Sequence, residues 1–325
     1  MISENHSAAL IQRILAAIED NGGMSALSSI ILTGSFGRDE PTYTQGEGNE
    51  KKLISDVEIA VICPTLRNKR VIEEVIRKVS AEFEEDINLM VLSENRVKNV
   101  RNYNYSCVTP GNKTLFTYDL YNGSRTIWGR DFLGERRVML NEVDSYEAKR
   151  IVANRIGELV FLQTRRDLQG KEELRIQWKG KVILAVASAW LLCEGLYSSP
   201  YREQCKQIRE YRSTAESVIG EGFAAVYTKT FSYLREGGPK YEVPDDLLRL
   251  YISNVDKYLQ EKKITRPRTN CASRRIKLFL RYLKAGMGYG FVSYEEKIIQ
   301  ALIDDFCSQS GNIDHHATVW HKVLH

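Results

Sequence analysis

Apolar residues recur at helical spacing from Ser7 to Asp20, through Ala9, Leu10, Ile14, Leu15, Ala17 and Ile18, and Asn21-Gly22-Gly23 closes that pattern. A short apolar strand, Ser29 to Thr33, then runs into the turn Gly34-Ser35-Phe36-Gly37-Arg38, where a helix is expected to start. The polar stretch Pro41 to Lys52, with Gly46 and Gly48, reads as a loop. After it come an acidic strand within Leu53–Ile62, a helix from about Asn68 to Glu84, and a third strand, Ile87 to Leu92. Alternation over Thr114–Tyr121 predicts another strand, Asn122-Gly123 suits a hairpin turn, and Arg125 to Gly129 would return from it. Past about residue 140 the texture is helical, in segments from Ser145 to Cys307 separated by glycine and proline. The pattern predicts an α+β domain over residues 1–140 followed by an all-helical domain over 141–325.

Composition narrows the class. With 325 residues, two domains are expected, and 43% hydrophobic with 27% charged residues is ordinary for a globular chain. The apolar run Val182 to Cys193 is shorter than a bilayer span and reads as a buried helix, so no membrane partner is expected. The start, Met1 to His6, lacks the basic and apolar regions of a secretory signal. The six cysteines, Cys63, Cys107, Cys193, Cys205, Cys271 and Cys307, form no close pair, which suits free thiols and a cytoplasmic location. His315, His316 and His321 beside Asp314 read as a polar tail.

Charge is unevenly placed. Lys262 to Lys284 holds nine basic and no acidic residues, so the remainder of a chain of net charge +4 is acidic. Within that segment Arg274, Lys277, Arg281 and Lys284 share one helical stripe, opposite Ile276, Phe279, Leu280 and Leu283. The stripe suits a solvated face over a packed one, or else a contact to phosphates or RNA.

Candidate chemistry lies in the acidic strand. Strand alternation places Asp56 and Glu58 on one face, with Val57 and Ile59 on the other. Two carboxylates on a rigid edge suit a hard divalent cation, Mg²⁺ or Mn²⁺, that shares its oxygen ligands with substrate phosphates. The glycines of the turn allow a phosphate to approach the backbone closely, and a helix start presents free N–H groups.

Thr33-Gly34-Ser35-Phe36-Gly37-Arg38 together with Ser55-Asp56-Val57-Glu58 resembles the signature of the polymerase-β-like nucleotidyltransferase superfamily. Phe116 to Gly123 and Trp128-Gly129-Arg130-Asp131 are similar to the close of that domain in bacterial small-substrate members. Gln177 to Ala185 and Gly195 to Tyr201 are similar to the helical domain that often follows. The resemblance implies that Gly34 and Ser35 hold the β- and γ-phosphates, that Asp56 and Glu58 ligate Mg²⁺, and that Arg38 and Lys181 contact the triphosphate. It departs from the family in two places. The loop Pro41–Lys52 lengthens the spacing between turn and acids, and Asn88 stands where the family has an aspartate. An amide coordinates weakly and is no base, whereas Asp86 is on the same face two residues earlier.

The expected function is therefore Mg²⁺-dependent transfer of a nucleoside monophosphate, AMP from ATP, to a small-molecule hydroxyl or phosphate with release of pyrophosphate. Two alternatives stay open. One is modification of RNA or of a protein, with the stripe Arg274, Lys277, Arg281 and Lys284 as the RNA contact. The other is a nucleotide-binding regulatory module that the Asn88 change has left without turnover.

Overall fold

The computed structural model describes residues 2–45, 51–53, 55–65, 69–81, 83, 87–102, 111–164, 172–264 and 294–308. The chain divides into two compact units, one comprising Met1–Asn104 and Lys113–Glu142, the other Tyr105–Asn112 and Val143–His325.

The first unit is built on a four-stranded mixed sheet. Its strands are β1 (Ser29–Leu32), β4 (Val57–Cys63), β5 (Ile87–Ser93) and β6 (Arg125–Gly129), in the order β5-β4-β1-β6. β1 runs antiparallel to β4 and to β6, while β4 and β5 are parallel. Every residue of β1 is buried, and in β4 only Glu58 is not. Such continuous burial means that both faces are covered.

On one face Ile30, Leu32, Val57, Ile59 and Val61 pack with Leu10, Ile14 and Ile18 of α1 (Ile2–Asp20) and with Ile72, Ile76 and Val79 of α3 (Lys69–Ala81). On the other, Ile31, Ala60, Ile62 and Leu92 meet Val97 of α4 (Glu94–Lys98), Leu120 and Tyr121 of α5 (Leu115–Asn122), and Phe132 and Leu133. Glu58 falls on this second face, at the end where the apolar residues stop.

Two local expectations are corrected. Thr114–Tyr121 is not a strand: Leu115–Asn122 is helix α5, whose N-cap Thr114 accepts a hydrogen bond on its hydroxyl from the Thr117 amide. Gly123 accordingly ends a helix rather than turning a hairpin, and β6 pairs with β1. The stretch expected as a loop carries a small hairpin, β2 (Tyr43–Gln45) against β3 (Lys51–Leu53).

The described part of the second unit is helical: α6 (Glu147–Thr164), α7 (Glu172–Cys193), α8 (Tyr201–Glu210), α9 (Arg212–Ile219), α10 (Phe223–Phe231), α11 (Asp245–Glu261) and α12 (Tyr294–Ser308), with a π-helical turn at Ser232–Glu236. The central helix is α7, buried from Val182 to Leu192 and packed by α6, α8, α10 and α11. It alone among the described residues has the length and hydropathy to cross a membrane, but 83% of its apolar window is buried inside the protein. Gly180 lets α10 and the π-helical turn approach: a Cβ there would lie 3.1 Å from Thr230 Cγ2 and 2.9 Å from Leu234 Cδ1.

Candidate functional site: a glycine turn over two carboxylates

Strand register brings the turn to the acids. Leu32 pairs with Ile59, so the chain leaves β1 beside the start of β4. The Thr33 amide donates to the Glu58 carbonyl at 2.9 Å, and the Thr33 hydroxyl reaches the same oxygen at 3.3 Å. The next residues, Gly34–Gly37, form the single helical turn α2. One turn is too short for a large macrodipole, so the group it can offer an anion is the backbone N–H.

Gly34 has φ +60°, and the position of a Cβ there would be 1.5 Å from Glu58 Oε2 and 2.6 Å from its Cδ. The Glu58 carboxylate thus fills the space that any side chain at position 34 would need. Two independent reasons, the left-handed backbone and the occupied volume, demand glycine. Gly37 is held as tightly, its would-be Cβ lying 2.8 Å from the Gly123 carbonyl and 3.1 Å from Ser124 Cα.

Asp56 immediately precedes β4 and is half-buried. The parallel pairing sets Asn88 of β5 opposite Glu58, and the Asn88 Nδ2 donates to Asp56 Oδ2 at 2.6 Å. Asp56, Glu58 and Asn88 thereby gather where the parallel strands β4 and β5 begin, with Gly34 against Glu58. Ser55, one residue earlier, is tied to the hairpin: its Oγ accepts from the Thr42 amide at 2.6 Å, and its amide donates to the Thr42 carbonyl at 3.3 Å.

Three further groups of sequence candidates remain: Arg38, Lys181, and Asp86 with the basic stripe. The Arg38 side chain is only 12% exposed, and its Nε lies 4.0 Å from the buried Glu40 carboxylate. Lys181 belongs to the second unit, with its Nζ 4.0 Å from the Trp178 ring centroid. Asp86 and the basic stripe Arg274, Lys277, Arg281 and Lys284 lie outside the described residues.

A neighbour of Lys181 was not singled out in the sequence. Lys179 is 3% exposed, with its Nζ 2.6 Å from Asp245 Oδ1 and 2.8 Å from Glu242 Oε1. Nothing in the local pattern distinguishes it, because its partners come from a segment about sixty residues away.

Among the described residues no three His, Cys, Asp or Glu side chains group as metal ligands. The chain matches no family model, no curated protein and no solved structure.

What remains is the donor set itself: two carboxylates, one amide and a backbone turn. Mg²⁺ commonly takes one or two carboxylates and completes its octahedron with water and substrate phosphate, so the residues present fit one such ion. A second ion would need a further carboxylate, and the third side chain of the set, Asn88, is an amide.

Proposed function

We propose that the protein is a divalent-metal-dependent nucleotidyltransferase. The observation that carries this reading is the Glu58 carboxylate lying in the space beneath Gly34, with Asp56 two residues earlier and hydrogen-bonded to Asn88, the register partner of Glu58. A holder for polyphosphate and a holder for its counter-ion are thereby adjoining.

In this reading Gly34 and Ser35 hold the β- and γ-phosphates of a nucleoside triphosphate, ATP in the first instance, through backbone N–H groups and the serine hydroxyl. Asp56 and Glu58 hold Mg²⁺, which when bound neutralises charge developing on the phosphates. An acceptor hydroxyl oxygen forms a bond to the α-phosphorus. As it does, the bond to the α–β bridging oxygen breaks, pyrophosphate leaves with the electron pair, and the hydroxyl proton passes to water. Alignment of the reacting atoms supplies much of the acceleration. The deciding experiment is a mass-spectrometric screen of the protein with Mg²⁺, each of four nucleoside triphosphates and cell extract. Wild type should form a nucleotidylated product, and Asp56→Ala should form none while remaining folded. A fully active Asp56→Ala protein would remove the site.

One observation favours a second reading. Asn88 engages Asp56 through an amide rather than a carboxylate, which leaves the edge without a general base at that position. A module that binds nucleotide and signals its presence without turnover needs only what remains. In the same screen it would show triphosphate binding and no product.

A further inference from the structure

A groove of about 770 Å³ runs along β6 in the first unit, within the size range of small-molecule sites. Its lining includes Ser124, Arg125, Thr126, Trp128, Asp131 and Arg137. Two contacts join it to the turn. Gly37 of α2 packs against Gly123 and Ser124, and Arg125 Nη1 pairs with Asp39 Oδ1, just past the turn, at 2.6 Å. The groove therefore adjoins the C-terminal end of the α2 turn, at Gly37 to Asp39.

Its charges are not equivalent. Asp131 is spent internally, accepting on Oδ1 from the Thr126 hydroxyl at 2.9 Å and from the Leu133 and Gly134 amides at 3.1 and 3.2 Å. The Thr126 hydrogen bond above all holds its carboxyl below the usual range, so it stays ionised but committed. Arg125 is balanced by Asp39. Arg137 is exposed and makes no hydrogen bond or ion pair among the described residues. A guanidinium with its donors open is suited to bidentate binding of phosphate or carboxylate. Trp128 and Leu133 supply an apolar wall for the rest of a small molecule.

We propose that this groove is the acceptor subsite and that it takes a small anionic alcohol, phosphorylated or carboxylated, with the anionic group on Arg137. The proposal rests on the nucleotidyltransferase reading.

The test is a ligand-observed NMR titration of the full chain with glycerol 3-phosphate, with glycerate, and with glycerol as the uncharged control. Wild type should bind at least one of the two anions about tenfold or more tightly than glycerol, as a charge-assisted contact implies. Arg137→Glu should abolish that preference, and Arg137→Lys should keep part of it. Saturating ATP with Mg²⁺ should leave anion binding in place.

Absence of any anion preference in wild type, persistence of the preference in Arg137→Glu, or displacement by ATP overturns the proposal. The two readings fail differently. If ATP binds and Arg137→Glu changes nothing, the groove assignment alone falls. If ATP fails to bind while Arg137-dependent anion binding persists, the nucleotidyltransferase reading falls, and the acceptor role with it.

Discussion

The Asn88 side-chain amide donates to the Asp56 carboxylate across 2.6 Å, from the second residue of one parallel strand to the entrance of its neighbour. A neutral donor in that place holds Asp56 without adding charge. Asn88→Asp puts two carboxylates in contact, and like charges at such a distance resist joint ionisation. The variant in EDTA should therefore lose about 1–2 kcal/mol at neutral pH, the cost of a broken charge-assisted hydrogen bond. Mg²⁺ or Mn²⁺ should restore it by binding only the folded state, so that thermal unfolding becomes strongly metal-dependent. Equal melting of variant and wild type, with and without metal, would remove the contact from the site.

Gly34 gives a second handle. Gly34→Ala imposes a left-handed backbone on alanine, at roughly 1–2 kcal/mol, and drives its methyl group into the Glu58 carboxylate. Stability should fall by at least that amount, and if the proposed nucleotidyl transfer is the activity, it should fall by about 100-fold, since small misplacement of reacting groups is that expensive. Because Glu58 supplies the obstruction, the stability penalty should shrink in a Glu58→Ala background. Chemical denaturation of the four members of this double-mutant cycle measures the coupling directly.

In the helical unit, Lys179 is the handle. Its hydrogen bond to Glu242 is the main reason that carboxyl sits below its ordinary value of 4.5. A depressed folded-state value means stability that is present above pH 4.5 and is lost as pH falls through the lowered value. Lys179→Met should cost about 1–2 kcal/mol at pH 7, the worth of hydrogen bonds between charged groups. The gap to wild type should close as the pH drops below the ordinary carboxylate value. A pH-independent gap in urea midpoints would assign the loss to packing instead.

Three thiols among the described residues should be poor nucleophiles. Burial pushes Cys63 to about 11 and, with help from Glu194, Cys193 to about 12. Cys307 is likewise raised to about 11, first by burial and then by Asp256 and Asp304. At pH 8 a thiol with such a value is roughly 0.1% ionised, and the thiolate is the reactive form. Iodoacetamide should label these three at least about 100-fold more slowly than free cysteine, as read by peptide mass spectrometry, until the protein is unfolded.

The features that could be read from the chain are those that a local signal encodes. The apolar run before Thr33, the glycines after it and the period-two acids each depend on a few adjacent residues, and the structure has β1, the helical turn and β4 there. β4 begins at Val57, however, so of the two acids only Glu58 is in the strand and Asp56 stands one residue before it. Thr114–Tyr121 misled because its threonines and aromatics favour strands, whereas the decisive facts are a Thr114 cap and a long-range hydrogen bond from the Tyr121 hydroxyl to the Val97 carbonyl. The groove along β6 was illegible for a related reason. It exists because β6 joins β1 at the edge of the sheet, a pairing with no counterpart in the local pattern. The meeting of Asn88 and Asp56 likewise follows from strand register, which residue spacing alone does not fix.

Thr33 gives this arrangement its mechanical character. By hanging on the Glu58 carbonyl with both its amide and its hydroxyl, it rivets the glycine turn to the strand bearing the acids, so the two travel as one piece. Drift in the hairpin or along the far edge strand leaves that rivet untouched. On the proposed reading, the cradle for polyphosphate and the holder of its counter-ion keep their spacing whichever acceptor is used.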